Sequence, residues 1–383
     1  MRSIMQDEAR RSDPAHPDDA TSMVDPAVGA GVRDGGTGAR SAPDAAALER
    51  AERFCREILP AASRTFAIGI RVLPGTLGRA VLASYLICRV ADTVEDERSI
   101  APAEKDALLG RMLECLDDHG AAARFAALVP PLTGDAEHAR LVRHADDVFT
   151  VFHSLPEGTR RHVRRWVTEM VTGMRDFVLR HPQGIRIRTL AEYREYCHYV
   201  AGTVGYLLTD LWHEHSAAVG AHHHQALLRH CEAFGQALQA VNILKDVARD
   251  AVDENSIYVP EEMLLRQGSS HATLLDPAFG RRSHAAVTEL IELAWRDLDE
   301  ARRYLLLIPR RAAAIRLFCA LPLLLAHATL RELTATTAML TPGSAPRITR
   351  REVKRLVAGA TVLVTSNAGL GWLVERARRG SFA

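Results

Sequence analysis

The chain has 383 residues, a formal net charge of +1 and near-equal numbers of acidic and basic side chains. That length accommodates one large domain or two ordinary ones. The charge balance gives nucleic acid no electrostatic footing. Positive charge is almost all arginine, since Lys105, Lys245 and Lys354 are the only lysines. With abundant Ala and Gly, this composition points to a GC-rich bacterial genome. The six cysteines form no C-x-x-C pair and read as reduced core residues of a cytoplasmic protein.

Residues 1–44 are rich in Asp, Gly, Ala, Pro, Ser and Arg and have no apolar periodicity. They read as a disordered N-terminal tail without the continuous apolar run of a signal peptide. From Ala45 onward, apolar residues recur at steps of three and four. The breaks carry Pro or Gly, as at Leu73-Pro-Gly, Leu155-Pro-Glu-Gly and Thr341-Pro-Gly. Strand-like alternation is nearly absent, so residues 45–383 are expected to form one all-α domain around a cavity.

Ser63-Arg64-Thr65-Phe66 is expected to open a helix after Pro60. Its Ser-Arg pair offers a hydroxyl and a guanidinium to a phosphate, or it is an ordinary N-cap beside a surface arginine. The next stretch, Y-L-I-C-R-V-A-D-T-V-E-D (85–96), reads as helix. Tyr85, Arg89, Asp92 and Asp96 share one face, with Glu95 beside it. Carboxylates so crowded repel one another, and a hard divalent cation such as Mg2+ relieves that repulsion. The bland alternative is a solvated acidic face.

In the stretch from Glu195 to Gly205, Val200, Ala201, Gly202 and Gly205 are small residues on a helix. Each helical glycine costs about 1 kcal/mol, so something must approach closely. A packed helix and a long apolar ligand both satisfy that requirement. His222-His223-His224 points three ways on a helix and reads as a solvated run. Gln239, Asn242, Asp246 and Asp250 form a second polar stripe along Q-A-V-N-I-L-K-D-V-A-R-D (239–250). Its apolar neighbours imply burial, and buried carboxylates need cations. Two facing stripes would clamp a diphosphate through bridging Mg2+.

Phe318-Cys319-Ala320-Leu321-Pro322 places a proline inside an apolar helix. The apolar run Leu317–Leu330 is too short to span a bilayer. Leu356–Val374 reaches the lower limit but reads as one buried soluble helix. Basic patches around it, including Arg350-Arg351 and Arg376–Arg379, would suit peripheral contact with an anionic inner-membrane surface.

Together these motifs resemble the squalene/phytoene synthase family over about Phe54–Ile348. They are S-R-T-F (63–66), the two acidic stretches, Y-C-H-Y-V-A-G-T-V-G (196–205), Y-V-P-E-E (258–262) and F-C-A-L-P (318–322). The Y-C-H-Y-V-A-G and F-C-A-L-P segments favour the squalene-forming branch. The resemblance implies an all-α isoprenoid synthase fold acting on farnesyl diphosphate with Mg2+ and NADPH; the chain is expected to be a monomer. It implies head-to-head condensation to presqualene diphosphate, then reduction to squalene. Related synthases stopping at presqualene diphosphate, hydroxysqualene, dehydrosqualene or phytoene remain open, as does a non-catalytic prenyl-diphosphate binder.

By position, the resemblance gives metal binding to Asp92, Glu95, Asp96, Asn242, Asp246 and Asp250. Diphosphate contacts go to Ser63, Arg64, Tyr85 and Arg89, with Gln239 and Lys245 beside the substrate. Tyr196 is implicated in the first half-reaction. The prenyl tunnel falls to Phe66, Val200, Ala201, Gly205, Leu208, Phe318, Cys319 and Pro322, and NADPH binding to Arg347 and Arg350. The chain departs from the family pattern at Lys245, Arg249, Ser256 and Thr349, where Arg, an acid, Arg and an uninterrupted basic cluster are usual.

Overall fold

The computed structural model describes residues 44–344 and 346–380, with backbone only at Arg64. The expected tail therefore lies outside the described residues, apart from Asp44. Among the described residues there are seventeen α-helices and π-helical segments at His198–Gly202 and Asp250–Glu254. One isolated parallel bridge, Arg186–Ile257, is the only β-type pairing among them. The fold is all-α, as the periodicity required.

The opening helix, Ala45–Ala62, begins where the Asp44 carboxylate accepts from the Ala46 N–H. Pro60 lies inside its last turn rather than ahead of the next helix. The break falls at Ser63, which is extended (φ −163°). The Ser63 Oγ accepts from the Phe66 N–H at 3.1 Å and starts the helix Arg64–Arg71. Ser63 is thus a true N-cap, a device worth about 1 kcal/mol.

The first acidic helix runs Gly75–Asp96. Leu77, Val81, Leu86, Val90 and Val94 recur at helical spacing and are buried. The second runs Cys231–Arg249 and buries Phe234, Val241, Leu244 and Val247. Its placement depends on glycine. A Cβ on Gly205 would sit 2.0 Å from the Cys231 carbonyl oxygen, and one on Gly235 would sit 2.0 Å from the Ala201 carbonyl oxygen. Two backbones therefore touch where any side chain would part them. Of the two readings of this small-residue stretch, helix–helix packing accounts for Ala201 and Gly205, which meet Gly235 and Cys231 of the second acidic helix.

The apolar run at Leu317–Leu330 belongs to a longer helix, Ala313–Thr334, with Pro322 inside it. That helix is long and apolar enough to cross a membrane by length and composition, and 72% of its apolar window is buried inside the protein. Leu356–Val374 is not one helix. It divides into Arg350–Leu363 and Asn367–Arg379. The division has a local and a remote cause: Ser366 caps the second helix through Gly369 N–H, and Arg316 takes the Val364 carbonyl and the Asn367 side-chain oxygen. Nor is the stretch wholly buried, since Val362 and Trp372 are exposed.

Candidate active site

A cavity of about 530 Å³ opens between the two acidic helices. The first helix supplies Arg89, Asp92, Glu95 and Asp96. The second supplies Gln239, Asn242, Lys245, Asp246 and, just past its end, Asp250. Ser63 and Phe66 enter from the helix they cap and begin, Tyr196 and Val200 from the π-helical junction, and Pro322 from Ala313–Thr334. Fourteen residues far apart in sequence thus line one cavity.

Other expected residues stand behind that surface. Tyr85 donates to the Ala62 carbonyl at 3.1 Å and accepts from Arg89 at 3.4 Å, so it braces the cavity wall. Phe318 packs on Phe66 and Trp212. Cys319 is fully buried, and Leu208, Ala201 and Gly205 lie in helix packing rather than in the cavity lining. Arg347 and Arg350 are exposed and line none of the described cavities. The side chain of Arg64 lies outside the described residues.

Charge decides what the cavity can hold. Six carboxylates line it (Asp92, Glu95, Asp96, Asp246, Asp250 and Glu254) against three cations, Arg89, Lys245 and Arg249. Arg89 stands 3.5 Å from Asp92, and Lys245 stands 3.0 Å from Asp246. Burial raises the Asp92 carboxyl above its ordinary range, with Arg89 opposing. Burial, then repulsion from Asp96 and Asp92, pushes Glu95 well up. Burial, then Glu254 and Asp92, does the same to Asp96. Asp250 is pushed up to about 9 by burial and then by Glu254 and Asp246. Each shift has the same physical meaning: negative charge here lacks compensation.

The residues present fit a hard divalent cation. The facing donors are carboxylate oxygens plus the Asn242 amide, the ligand class Mg2+ takes. The Glu95 Oε1 atom is buried without a hydrogen-bond partner, and such an orphaned anionic oxygen is costly unless a cation meets it. A second group, His144, Asp146 and Asp147, has ligand atoms within 4.8 Å of one another. It sits apart from this cavity, and His144 and Asp146 are exposed.

Tyr196 stacks on Tyr258, with ring centroids 4.8 Å apart, and donates to its hydroxyl at 3.3 Å. Burial, then the Glu95 charge, raises the Tyr196 hydroxyl well above the usual range. It is therefore a neutral phenol that can pass a proton along but not wait as phenolate.

Sequence reasoning gave no site role to Glu254, Tyr258 or His138, all of which line the cavity. Glu254 had a signal, because 246, 250 and 254 step by four. Leu325, Ala326 and Thr329 likewise continue the Pro322 face at helical spacing. Tyr258 lay in a quoted motif without a spacing argument, and His138 had none.

A helical shell that turns two acidic stripes and basic groups onto one cavity defines the class: an all-α protein with a charged central site. The family model for squalene/phytoene synthase matches residues 59–353, and the chain belongs to that family of prenyltransferases. It is 29% identical over 281 residues to "Squalene synthase" of Schizosaccharomyces pombe, covering 73% of this chain and 58% of that one. It is 32% identical over 285 residues to "Squalene synthase BSS" of Botryococcus braunii, covering 72% and 57%. The chain thus spans a little under three fifths of these relatives' length. Both relatives are eukaryotic and give no support to the bacterial source read from composition.

Among solved structures, the complex of TcSQS with the ligand E5700 superposes with a TM-score of 0.72 at 25% identity, covering 86% of this chain and 98% of that one. A dehydrosqualene synthase in complex with ligand gives 0.60 at 22% identity over 83% and 98%. The fold they share is the isoprenoid synthase fold.

Proposed function

We propose that this protein is a Mg2+-dependent prenyltransferase joining two farnesyl diphosphates head to head into presqualene diphosphate and carrying that product on to squalene with NADPH. The observation that carries the reading is the single cavity walled by both acidic stripes, with an apolar side formed by residues such as Phe66, Val200 and Pro322. Asp92, Glu95 and Asp96 on one side, and Asn242, Asp246 and Asp250 on the other, would hold Mg2+. Bound there, Mg2+ supplies Lewis-acid stabilisation of negative charge on a leaving diphosphate.

The chain's own groups account for the rest. Arg89 and Lys245 stand on the cavity wall and offer N–H donors to phosphate oxygens. The allylic C–O bond breaks with its electron pair going to the diphosphate. The apolar wall keeps water from capturing the cation that remains. Attack by the second substrate's double bond makes the new C–C bond, and the proton lost as the cyclopropane closes goes to diphosphate oxygen or through the Tyr196 hydroxyl. Tyr196 can relay because its own hydrogen is already directed at Tyr258.

The reductive half rests on the motif resemblance and on the relatives' names. Arg347 and Arg350 are exposed and line none of the described cavities, so they form no built nicotinamide site. That observation favours a second reading, a synthase that stops at presqualene diphosphate. Mass-spectrometric product analysis after incubation with farnesyl diphosphate and Mg2+, with and without NADPH, separates the two. Squalene formed only with NADPH is the expected outcome. An identical product in both arms overturns the reductive half, and tight substrate binding without pyrophosphate release overturns catalysis altogether.

A further inference from the structure

The junction that carries Tyr196 and Val200 to the cavity is held from behind. Helix Leu190–Cys197 passes through the π-helical turn His198–Gly202 into helix Thr203–His215. In that turn the Thr203 N–H reaches back five residues to the His198 carbonyl. Such single-turn widenings recur at functional sites. This one is wedged on two sides. Toward the helix Glu157–Arg180, the Tyr199 ring lies against Gly173, where a Cβ would come within 2.0 Å of the ring's Cγ. Toward the second acidic helix, the close approaches at Gly205 and Gly235 leave no room for a side chain.

His198 ties these two flanks together. Its Nδ1 lies 2.8 Å from Glu232 Oε1 on the second acidic helix, and its Nε2 lies 3.0 Å from Glu169 Oε1 on Glu157–Arg180. A neutral imidazole has one N–H and can donate to only one of them. Glu232 is already an acceptor at both oxygens: Gln236 donates to Oε1 at 2.9 Å and Tyr206 donates to Oε2 at 3.0 Å. A carboxylate on each ring nitrogen therefore calls for imidazolium, with both N–H groups donating.

The surrounding charges agree. The bond to Glu232 raises the His198 ring above its ordinary value; burial opposes it, and the bond to Glu169 adds to it. Glu232 is held below its ordinary value in return, by His198 first, with burial opposing. On the preceding helix, Arg194 is engaged by Asp297 at 2.7 and 2.9 Å, and Glu195 by Arg180 at 3.0 Å.

We propose that His198 is a positioning residue for the reaction: its ring, bonded at both nitrogens to Glu169 and Glu232, locks the π-helical turn between two helices and so fixes Tyr196 and Val200 at the cavity wall. The inference rests on the condensation reading above. His198 does not itself line the cavity, so it acts through the turn. When the ring loses a proton, one carboxylate faces a bare nitrogen lone pair and the two flanks are no longer tied. A displacement of about 1 Å at reacting groups costs up to about 10²-fold in rate.

The test uses the full chain and two readouts. Histidine-selective 15N nuclear magnetic resonance, with the His198 signals assigned by their loss in His198→Gln, reads the charge of the ring. Both nitrogens are expected to stay protonated above about pH 6.5, where a free histidine turns neutral. Pyrophosphate release from farnesyl diphosphate with Mg2+ reads the positioning. His198→Gln is expected to lower kcat about 10–10²-fold with a smaller change in KM. The clamp is complete below the ordinary histidine value and is lost as pH rises through the raised one, so the unsubstituted chain should show an alkaline decline in kcat that His198→Gln lacks. His198→Lys, whose ammonium has donors for both carboxylates, should recover part of the loss and carry the decline to higher pH. Circular dichroism checks that each variant is folded. A His198 ring with a single N–H above about pH 6.5, or equal losses in the Gln and Lys variants at every pH, overturns the inference. A doubly protonated His198 in a chain that releases no pyrophosphate would instead overturn the condensation reading on which the positioning role rests.

Discussion

The two acidic helices share the Asp-x-x-x-Asp spacing and end in opposite ways. The first stops hard. One residue after Asp96, the buried Glu97 carboxylate accepts from Ser99, from the Thr133 N–H and hydroxyl, and from the Gly134 N–H. Burial alone would raise that carboxyl, but the bonds from Thr133 and Ser99 hold it down at about 2. The second helix loosens into a π-turn and carries acidic groups onward to Glu254. One stripe is thus fixed by a latch of hydrogen bonds. The other is placed by close backbone contact upstream and, downstream, by Arg98, which donates to the Val252 and Asp253 carbonyls.

Removing a carboxylate from either stripe should have the largest effect. Asp92→Asn and Asp246→Asn are each expected to lower pyrophosphate release by about 10²–10³-fold while far-ultraviolet circular dichroism stays unchanged. Near-normal turnover in one variant alone would show that a single stripe suffices, and the comparison would lose its basis.

A smaller effect, on stability rather than chemistry, should fall only on the second stripe. Gly235→Ala drives a methyl against the Ala201 carbonyl and should cost about 3 kcal/mol in urea unfolding. Ala83→Gly, within the first acidic helix, should cost nearer about 1 kcal/mol from helix propensity and lost packing. Equal losses would mean that the two helices are held in the same way.

The smallest expected effect is a pH slope. Asp250 has a folded-state value raised from 3.8 to about 9, so its neutral form is favoured by folding. The stability it contributes is full below 3.8 and is lost as pH rises towards 9. Without divalent ions, the melting temperature should therefore decline across that window. Asp250→Asn should flatten the decline, and Mg2+ with pyrophosphate should offset it. A metal-free melting temperature that climbs over the same range would contradict the crowding of uncompensated charge at this wall.

Much of the site was legible because helical spacing is a reliable ruler. Asp92 with Asp96, and Asp246 with Asp250, could be placed on common faces from their numbers alone. The same ruler, carried one step further, reaches Glu254. The small residues around Gly205 were ambiguous for a different reason. A missing side chain signals close approach but does not say by what, and here the visitor is the Cys231 carbonyl rather than a ligand. Leu356–Val374 looked continuous because its apolar content was uniform. The break depends on Arg316, some fifty residues away, claiming the backbone oxygen at Val364.

The sequence by itself determined the helical class, the membership of the two acidic faces and most of the residues that meet in the cavity. These follow from local periodicity and side-chain chemistry. Only the tertiary structure decided which small residues pack and which line, that Tyr196 rests on Tyr258, and that Glu254 joins Glu95 and Asp96. Those facts are distances between segments remote in the chain, and no local pattern encodes such a distance.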